Sequence, residues 1–234
     1  MTDRREEIEN NIKQVRERIR QAAVTAGRDP KEITLVAVTK NFPAADVQIA
    51  LDCGVKCVGE NRVQEMTEKY LTLPDAPWHI IGHLQTNKVK YIIGKCALIQ
   101  SVDSVKLLDE IEARSLKAGV CTDVLIQVNT SGEETKSGIA PESLDALLEH
   151  AETLKAVRVK GLMTIAPLYI TDVSNTLHFS NTRKLFLDIA KRKYNNISME
   201  ILSMGMSGDF EEAIACGSTM VRIGSLIFGK RQYV

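Results

Sequence analysis

The sequence has no excess of charge of either sign and few aromatic side chains. Its 234 residues include 30 Lys and Arg against 30 Asp and Glu, so the formal net charge is zero. A protein that binds nucleic acid by neutralising phosphates normally carries a basic surplus. Aromatic residues make up 5% of the chain, which argues against stacking platforms for single-stranded nucleic acid. We therefore expect no nucleic-acid partner.

Long apolar runs and an apolar leader are also missing. The longest hydrophobic runs fall well short of the roughly 20 residues that a helix needs to cross a bilayer. The start of the chain, residues 1–7, is mostly charged and precedes no apolar segment, unlike a secretory signal. The cysteines number five, which fits free thiols in a reducing compartment, and their spacing does not fit a zinc site. These absences predict a cytoplasmic protein with no membrane association and no bound metal.

Strands that alternate with helices are the main pattern that the sequence does contain. An amphipathic helix is predicted over residues 3–26, and an apolar, β-branched first strand over residues 33–39. Further strands are predicted at 55–58, 78–81, 97–102, 123–128, 157–163, 199–203 and 220–223. Helices are predicted after them and after the first strand, at 43–52, 62–70, 85–92, 104–118, 141–154, 176–194 and 210–215, with a last turn near Leu226.

Eight strand–helix units of this length predict a closed barrel. Strands that alternate with helices form parallel sheets through right-handed crossovers. Eight units in about 200 residues fit a (β/α)₈ TIM barrel, whereas an open doubly wound sheet rarely needs eight equal units. No linker or low-complexity tract interrupts the pattern. We expect a single α/β domain over residues 1–234 with one extra N-terminal helix.

Lys40 is the first candidate for a functional side chain. It directly follows the first predicted strand, and barrel active sites lie at the carboxyl ends of the strands. An apolar barrel mouth favours the neutral amine, which can form a Schiff base with an aldehyde. The alternative is a lysine that extends its ammonium into water.

The last two strand ends predict a phosphate site. Ser207-Gly208 and Gly224-Ser225 each precede a short helix, and neighbouring helix N-termini after strands seven and eight form the usual phosphate site of barrels. The alternative is that the serines are helix caps and the glycines are turns. Acidic residues in the following turn, with Asp209 first, would oppose a phosphate if they faced it.

Arg222 and Asn61 also lie where the barrel mouth is predicted. A barrel-facing Arg222 needs an acceptor, such as a ring nitrogen or the carboxylate of Glu60. Asn61 and Asn129 follow strands and suit a phenolic or carboxylate oxygen, although asparagine is also an ordinary turn residue.

The remaining basic side chains near the predicted mouth are weaker candidates. His79 lies within a strand and is expected in the core, whereas His83 lies at the same strand's end and is a candidate for lining the site. Lys136 lies in a loop above the rim, where it is either a transient ligand acceptor or a plain surface lysine.

Six stretches of the sequence resemble the pyridoxal phosphate homeostasis protein family. They are LVAVTK (35–40), GENRVQE (59–65), WHIIGHLQTNK (78–88), GLM (161–163), GMSGD (205–209) and MVRIGS (220–225). The resemblance implies the barrel of the alanine racemase N-terminal domain, which is PLP fold type III, and pyridoxal 5′-phosphate (PLP) as cofactor. Thr39, where the family often has Ser, and His83, where Pro is frequent, are mild departures.

The resemblance also implies roles for individual residues. By position, Lys40 forms the Schiff base, Ser207, Gly208, Gly224 and Ser225 hold the phosphate, Arg222 faces the pyridine nitrogen, and Asn61 lies near the ring hydroxyl. It implies no catalytic residue.

The function that follows is intracellular vitamin B6 homeostasis by reversible PLP binding, without robust turnover. An arginine keeps its proton at ordinary pH, so a ring nitrogen opposite Arg222 stays unprotonated and PLP becomes a weaker electron sink. We also expect no second domain of the kind from which a racemase draws its second base. Expected partners are PLP and PLP-requiring apo-enzymes, and the expected state is a monomer or weak dimer. The alternatives are a PLP-dependent racemase or lyase, a Schiff-base aldolase for a sugar phosphate, and a scaffold that has lost its ligand.

Overall fold

Parallel strands close into a barrel in chain order. A computed structural model describes residues 3–130, 137–167 and 175–229 of the chain. Within these residues, neighbouring strands pair in sequence from the first to the eighth, and the eighth pairs with the first. The strands are β1 (Thr34–Val38), β2 (Cys57–Glu60), β3 (Trp78–Ile80), β4 (Leu98–Val102), β5 (Thr122–Gln127), β6 (Val157–Met163), β7 (Ile197–Ser203) and β8 (Met220–Ile223). The predicted (β/α)₈ barrel is confirmed.

Helices cover the outside of the barrel. The α-helices are α1 (Arg4–Thr25), α2 (Ala44–Asp52), α3 (Val63–Tyr70), α4 (Val105–Ala118), α5 (Leu144–Glu152), α6 (Thr176–Ala190), α7 (Phe210–Ala215) and α8 (Ser225–Phe228). The predicted N-terminal helix α1 buries one apolar stripe, which includes Ile8 and Ile12, against α2, α7 and α8. The Asn11 side chain donates a hydrogen bond to the Ile227 carbonyl at 2.9 Å, so α1 also holds the last helix in place.

Strand register brings the predicted site residues to one end of the barrel. Ala37 lies opposite Ile223 on one side, and Val38 lies opposite Gly59 on the other. The segments that follow β1, β2 and β8 therefore leave the sheet side by side. Because all strands are parallel, the loop after β7 emerges at the same end.

Two apolar clusters fill the molecule. The larger lies between the sheet and the helices and includes the fully buried Trp78, Phe179 and Phe210. A separate cluster contains buried residues from strands only. Its members are Val36, Leu98, Leu125, Met163 and Met220. Since side chains alternate along a strand, this second cluster lies inside the barrel.

Several predicted boundaries differ from the structure. Strand β2 runs over Cys57–Glu60 rather than 55–58, because its pairing with β1 and β3 extends to the buried Glu60. The predicted helix at 85–92 is a 3₁₀ helix, Thr86–Tyr91. A second 3₁₀ helix, Pro141–Ser143, precedes α5, and α6 ends at Ala190 rather than near 194. Across the described part of the chain, no helix has the length and apolar character to cross a bilayer.

Candidate functional site

A cavity of about 720 Å³ opens at the carboxyl ends of the strands. Its lining includes the seven residues that the family resemblance assigned to the cofactor. These are Lys40, Asn61, Ser207, Gly208, Arg222, Gly224 and Ser225. Segments after β1, β2, β7 and β8 thus contribute to one compartment, of a volume usual for small-molecule sites.

A buried ion pair fixes the chain just before Lys40. Thr39 is fully buried, and its hydroxyl donates to Oε1 of Glu60 at 2.6 Å. The Lys69 ammonium, on α3, donates to the same carboxylate oxygen at 2.5 Å and to the Thr39 carbonyl at 2.8 Å. Burial raises the pKa of the Glu60 carboxyl, and the Lys69 charge opposes this rise. The half-buried Lys40 therefore begins from a rigid strand end.

The chain just after Lys40 is held as well. Asn41 adopts a left-handed backbone conformation with φ 65°, which asparagine tolerates better than most residues. Its N–H donates to Oε2 of Glu65 at 2.8 Å. The ring of Phe42 packs against that of Phe228, with 5.0 Å between centroids. Contacts on both sides thus restrict where the Lys40 side chain leaves the backbone.

Arg222 contributes a guanidinium from inside the barrel. Its residue is 3% exposed, and it lines the cavity from β8. Nη1 donates to the Ser203 hydroxyl at 2.6 Å, and Nη2 donates to the Thr164 carbonyl at 2.8 Å. Burial lowers the pKa of Arg222 to about 10, so the group is still protonated at neutral pH. The suggested pairing with Glu60 is wrong, because Glu60 pairs with Lys69.

Two loops bring backbone N–H groups to the cavity. Gly224 lies so close to β1 that a Cβ there would be 3.0 Å from the Val38 carbonyl oxygen. The Gly224 N–H donates to the Ser207 hydroxyl at 3.4 Å, which joins the two loops. Within the described residues, the backbone N–H groups of Ser207, Gly208, Ser225 and Leu226 have no protein acceptor. Such groups suit an anion.

Asp209 lines the same cavity, but both oxygens of its carboxylate already accept hydrogen bonds from the protein. One carboxylate oxygen accepts the Met206 N–H at 2.6 Å, and the other accepts the Asn175 amide at 3.1 Å. Burial raises the pKa of this carboxyl. The next acid, Glu211, pairs with Arg18 at 2.8 Å on α1. The acids that follow Gly208 therefore shape the loop or pair elsewhere.

The weaker candidates divide between rim, core and other places. His83 lines the rim, is exposed, and lies 3.8 Å from an Asp103 carboxylate oxygen. His79 is buried, as predicted for a core residue. Asn129 is outside the cavity lining, and Lys136 lies outside the described residues.

The sequence did not reveal the apolar part of the lining. Val38, Phe42, Ile81 and Ile165 form apolar walls, and Gln127 adds an amide that donates to the Ser137 carbonyl at 2.9 Å. These residues resemble ordinary strand and core residues. Only the alternation along strand ends, which decides what faces the barrel interior, could have indicated them.

The arrangement suits a small anionic ligand that carries a carbonyl group. Lys40 supplies an amine, and Arg222 supplies a fixed positive charge. The loops after β7 and β8 add hydroxyl and N–H donors to the same lining. The apolar walls reduce access of water and strengthen these polar interactions.

Comparisons with known proteins agree with this description. The family model for "Alanine racemase, N-terminal domain" matches residues 4–232. A protein from Aquifex aeolicus named pyridoxal phosphate homeostasis protein is 46% identical over 224 residues, which are 95% of this chain and 97% of that protein.

Solved structures show the same barrel. That of PipY from Synechococcus elongatus, with PLP bound, is 33% identical with a TM-score of 0.79, and covers 90% of this chain and 100% of that one. An alanine racemase from Clostridium difficile is 16% identical with a TM-score of 0.76, over 97% of this chain and 57% of that one. At that identity the racemase shares the fold alone.

Proposed function

Because the chain belongs to the pyridoxal phosphate homeostasis protein family, we propose that it binds PLP reversibly and serves vitamin B6 homeostasis. The observation that carries the proposal is that Lys40, Arg222 and the two donor loops line the same cavity. An amine alone would fit many aldehydes. The N–H groups of the two loops that have no acceptor among the described residues favour one that also carries a phosphate.

The residues present fit the cofactor. Lys40 is the covalent attachment point, and Ser207, Gly208, Gly224 and Ser225 are the phosphate ligands. When bound, PLP supplies an aldehyde carbon for reversible condensation with an amine. Arg222 would hold its positive charge toward the ring nitrogen, and Asn61 would bind the ring hydroxyl, as the family resemblance implies. Val38 and Ile165, which line the same cavity, would reduce access of water to the ring.

We further propose that the protein carries PLP and has no robust catalytic turnover. Arg222 remains protonated at neutral pH, since its pKa is about 10. Its N–H groups donate hydrogen bonds and leave an opposing nitrogen without a proton. An unprotonated ring nitrogen withdraws electrons less strongly, and amino-acid chemistry on PLP depends on that withdrawal.

A binding titration tests the PLP proposal. Visible absorbance is followed while PLP is added to the wild type, to Lys40→Ala and to Lys117→Ala, a control at an exposed lysine of α4. We expect a saturable yellow band in the wild type and the control, and its loss in Lys40→Ala. A wild type without the band, or an unchanged Lys40→Ala titration, would refute the proposal.

Turnover is tested separately on the PLP-loaded protein. Each amino acid is incubated with it, and chirality and release of 2-oxo acids are followed. We expect no more conversion than free PLP produces at the same concentration. Conversion at rates typical of enzymes, of about 1 per second or faster, would show a PLP-dependent enzyme instead.

A further inference from the structure

A line of buried hydrogen bonds leads away from Arg222 through the barrel interior. The Ser203 hydroxyl, which accepts from Arg222, contacts Oε1 of Gln100 at 2.7 Å. Nε2 of Gln100 lies 2.9 Å from Nδ1 of His79 and 3.3 Å from the sulfur of Met220. Ser203 and Gln100 are fully buried, and His79 is 4% exposed. The line thus crosses from β8 through β7 and β4 to β3.

Donor and acceptor chemistry gives this line one direction. Arg222 can only donate, so the Ser203 oxygen accepts its N–H. The Ser203 proton then needs an acceptor, and Oε1 of Gln100 is the partner that the described residues offer it. The Gln100 amide nitrogen is left to donate to Nδ1 of His79, and the nearby Met220 sulfur favours nitrogen at that position. His79 is therefore neutral, with its proton on Nε2.

The environment of His79 is consistent with a neutral ring. Burial lowers its pKa to about 4. A protonated ring would carry a hydrogen on Nδ1 and oppose the Gln100 amide. At neutral pH His79 therefore keeps one protonation state. Each member of the line then orients the member before it.

We propose that Ser203 and Gln100 are positioning residues, which hold the Arg222 guanidinium at its place in the cavity wall. The Thr164 carbonyl fixes Nη2, and Ser203 fixes Nη1, so the plane of the guanidinium is defined by two acceptors. Gln100 in turn fixes the rotation of the Ser203 hydroxyl. The part of this inference that concerns PLP binding rests on the proposed function. The hydrogen-bond line itself does not, because it is formed by the protein alone.

Three variants test the positioning role. Ser203→Ala removes an acceptor of Arg222, and Gln100→Met removes the next link with little change in volume. Ser101→Ala is the matched control, since the Ser101 hydroxyl is buried on the same strand as Gln100 and has no partner in the described residues. We expect PLP binding to weaken about tenfold in Ser203→Ala, less in Gln100→Met, and not in Ser101→Ala.

The phosphate-free vitamer, pyridoxal, separates a contact with the ring from a contact with the phosphate. Arg222 is proposed to face the ring, so Ser203→Ala is expected to weaken binding of PLP and of pyridoxal by the same factor. Thermal unfolding without ligand shows whether each variant is folded. Equal binding by folded Ser203→Ala and Ser101→Ala proteins would overturn the positioning role. If the wild type itself failed to bind PLP, the proposed function would fail instead.

The direction of the line is tested on the wild type without ligand. Nitrogen-15 NMR at neutral pH distinguishes the two imidazole tautomers, and His79→Gln identifies the signals of His79. We expect a proton on Nε2 and an accepting Nδ1. A proton on Nδ1 would place the Gln100 oxygen toward His79 and would overturn the proposed direction.

Discussion

The backbone on both sides of Lys40, the proposed attachment point for PLP, is held in place by other parts of the chain. Lys69 and Glu60 fix the preceding residue, and Glu65 fixes the following one. These contacts come from β2 and α3, which are distant from Lys40 along the chain. Arg222 is fixed in the same way by Ser203 of β7 and by Thr164, which follows β6. The chemistry of single residues therefore depends on groups that only the folded barrel brings together.

The loops after β7 and β8, which are proposed to bind phosphate, give a prediction for one hydroxyl. Ser225→Leu places an apolar side chain at the start of α8, beside N–H groups that have no acceptor among the described residues. PLP affinity is expected to fall at least about tenfold, which corresponds to about 1.4 kcal/mol, and pyridoxal affinity much less. Equilibrium titration with both vitamers measures the ratio.

The control for that experiment is Ser143→Leu. Ser143 is exposed and precedes α5, away from the cavity lining. It is expected to leave both affinities unchanged. Equal loss of PLP and pyridoxal in Ser225→Leu would contradict a phosphate role for this loop.

Most polar members of the cavity could be predicted from the sequence, and their partners could not. Lys40 and Arg222 stand out because charged residues are rare at the ends of apolar strands. The acceptors of Arg222 come from residues 164 and 203, and no local pattern links those positions to 222. The role of Gln100 was missed for the same reason, since a buried glutamine has no distinctive spacing.

At the scale of elements, the barrel depends on close strand contacts at Gly161. The register between β6 and β7 shifts near this residue, whose φ is 149°. A Cβ at Gly161 would lie 1.8 Å from the Ile201 carbonyl oxygen. The two backbones therefore approach where only glycine fits.

Replacing this glycine gives a stability prediction. Gly161→Ala is expected to lower the free energy of unfolding by about 3 kcal/mol or more, because both conformation and space oppose the methyl group. Gly94→Ala is the control, since Gly94 has φ 77° and nothing within 4 Å of an added Cβ. Its cost is expected to be about 1 kcal/mol. Urea unfolding measures both, and equal losses would contradict the steric argument.

Boundaries of elements were less predictable than their order. Alternating apolar and amphipathic stretches identified β1, β6 and β8 to within a residue or two. The predicted bounds of β2 lay too early in the chain because its last residue, Glu60, looks like a surface residue. In the structure Glu60 is buried, and its carboxylate pairs with Lys69. The segment Thr86–Tyr91 has helical composition, and the choice of a 3₁₀ helix depends on tertiary contacts.

At the scale of the whole molecule, barrel closure joins the two ends of the described chain. Pairing of β1 with β8 places the loop after β8 beside Lys40, and α1 packs on α7 and α8. Arg4 donates to Asp46 at 2.6 Å and to the Phe228 carbonyl at 3.0 Å. The N-terminal helix thus supports the elements that form the cavity. Closure was predictable because the sequence contains eight complete units.

The buried histidine makes the stability of the whole molecule depend on pH. The pKa of His79 is about 4 in the folded protein against an ordinary value of 6.5, so the unfolded chain binds an extra proton between these values. The contribution of the neutral His79 to the free energy of unfolding is fully present above pH 6.5 and is lost as the pH falls toward 4. The loss is expected to reach about 3 kcal/mol.

The difference between wild type and His79→Gln isolates this contribution. Urea unfolding of both proteins at several pH values is expected to show the advantage of the wild type shrinking as pH falls from 6.5 to 4. Glu60 and Asp209, whose pKa values burial raises, titrate in both proteins and cancel in the difference. A constant difference across this range would contradict a neutral, buried His79.

Reductive trapping identifies the lysine that binds PLP. The protein is incubated with PLP, reduced with borohydride, digested, and mapped by mass spectrometry. We expect the phosphopyridoxyl group on Lys40 and its loss in Lys40→Ala. A label found mainly on Lys136 or on another lysine, with Lys40 unmodified, would rule out Lys40 as the attachment point.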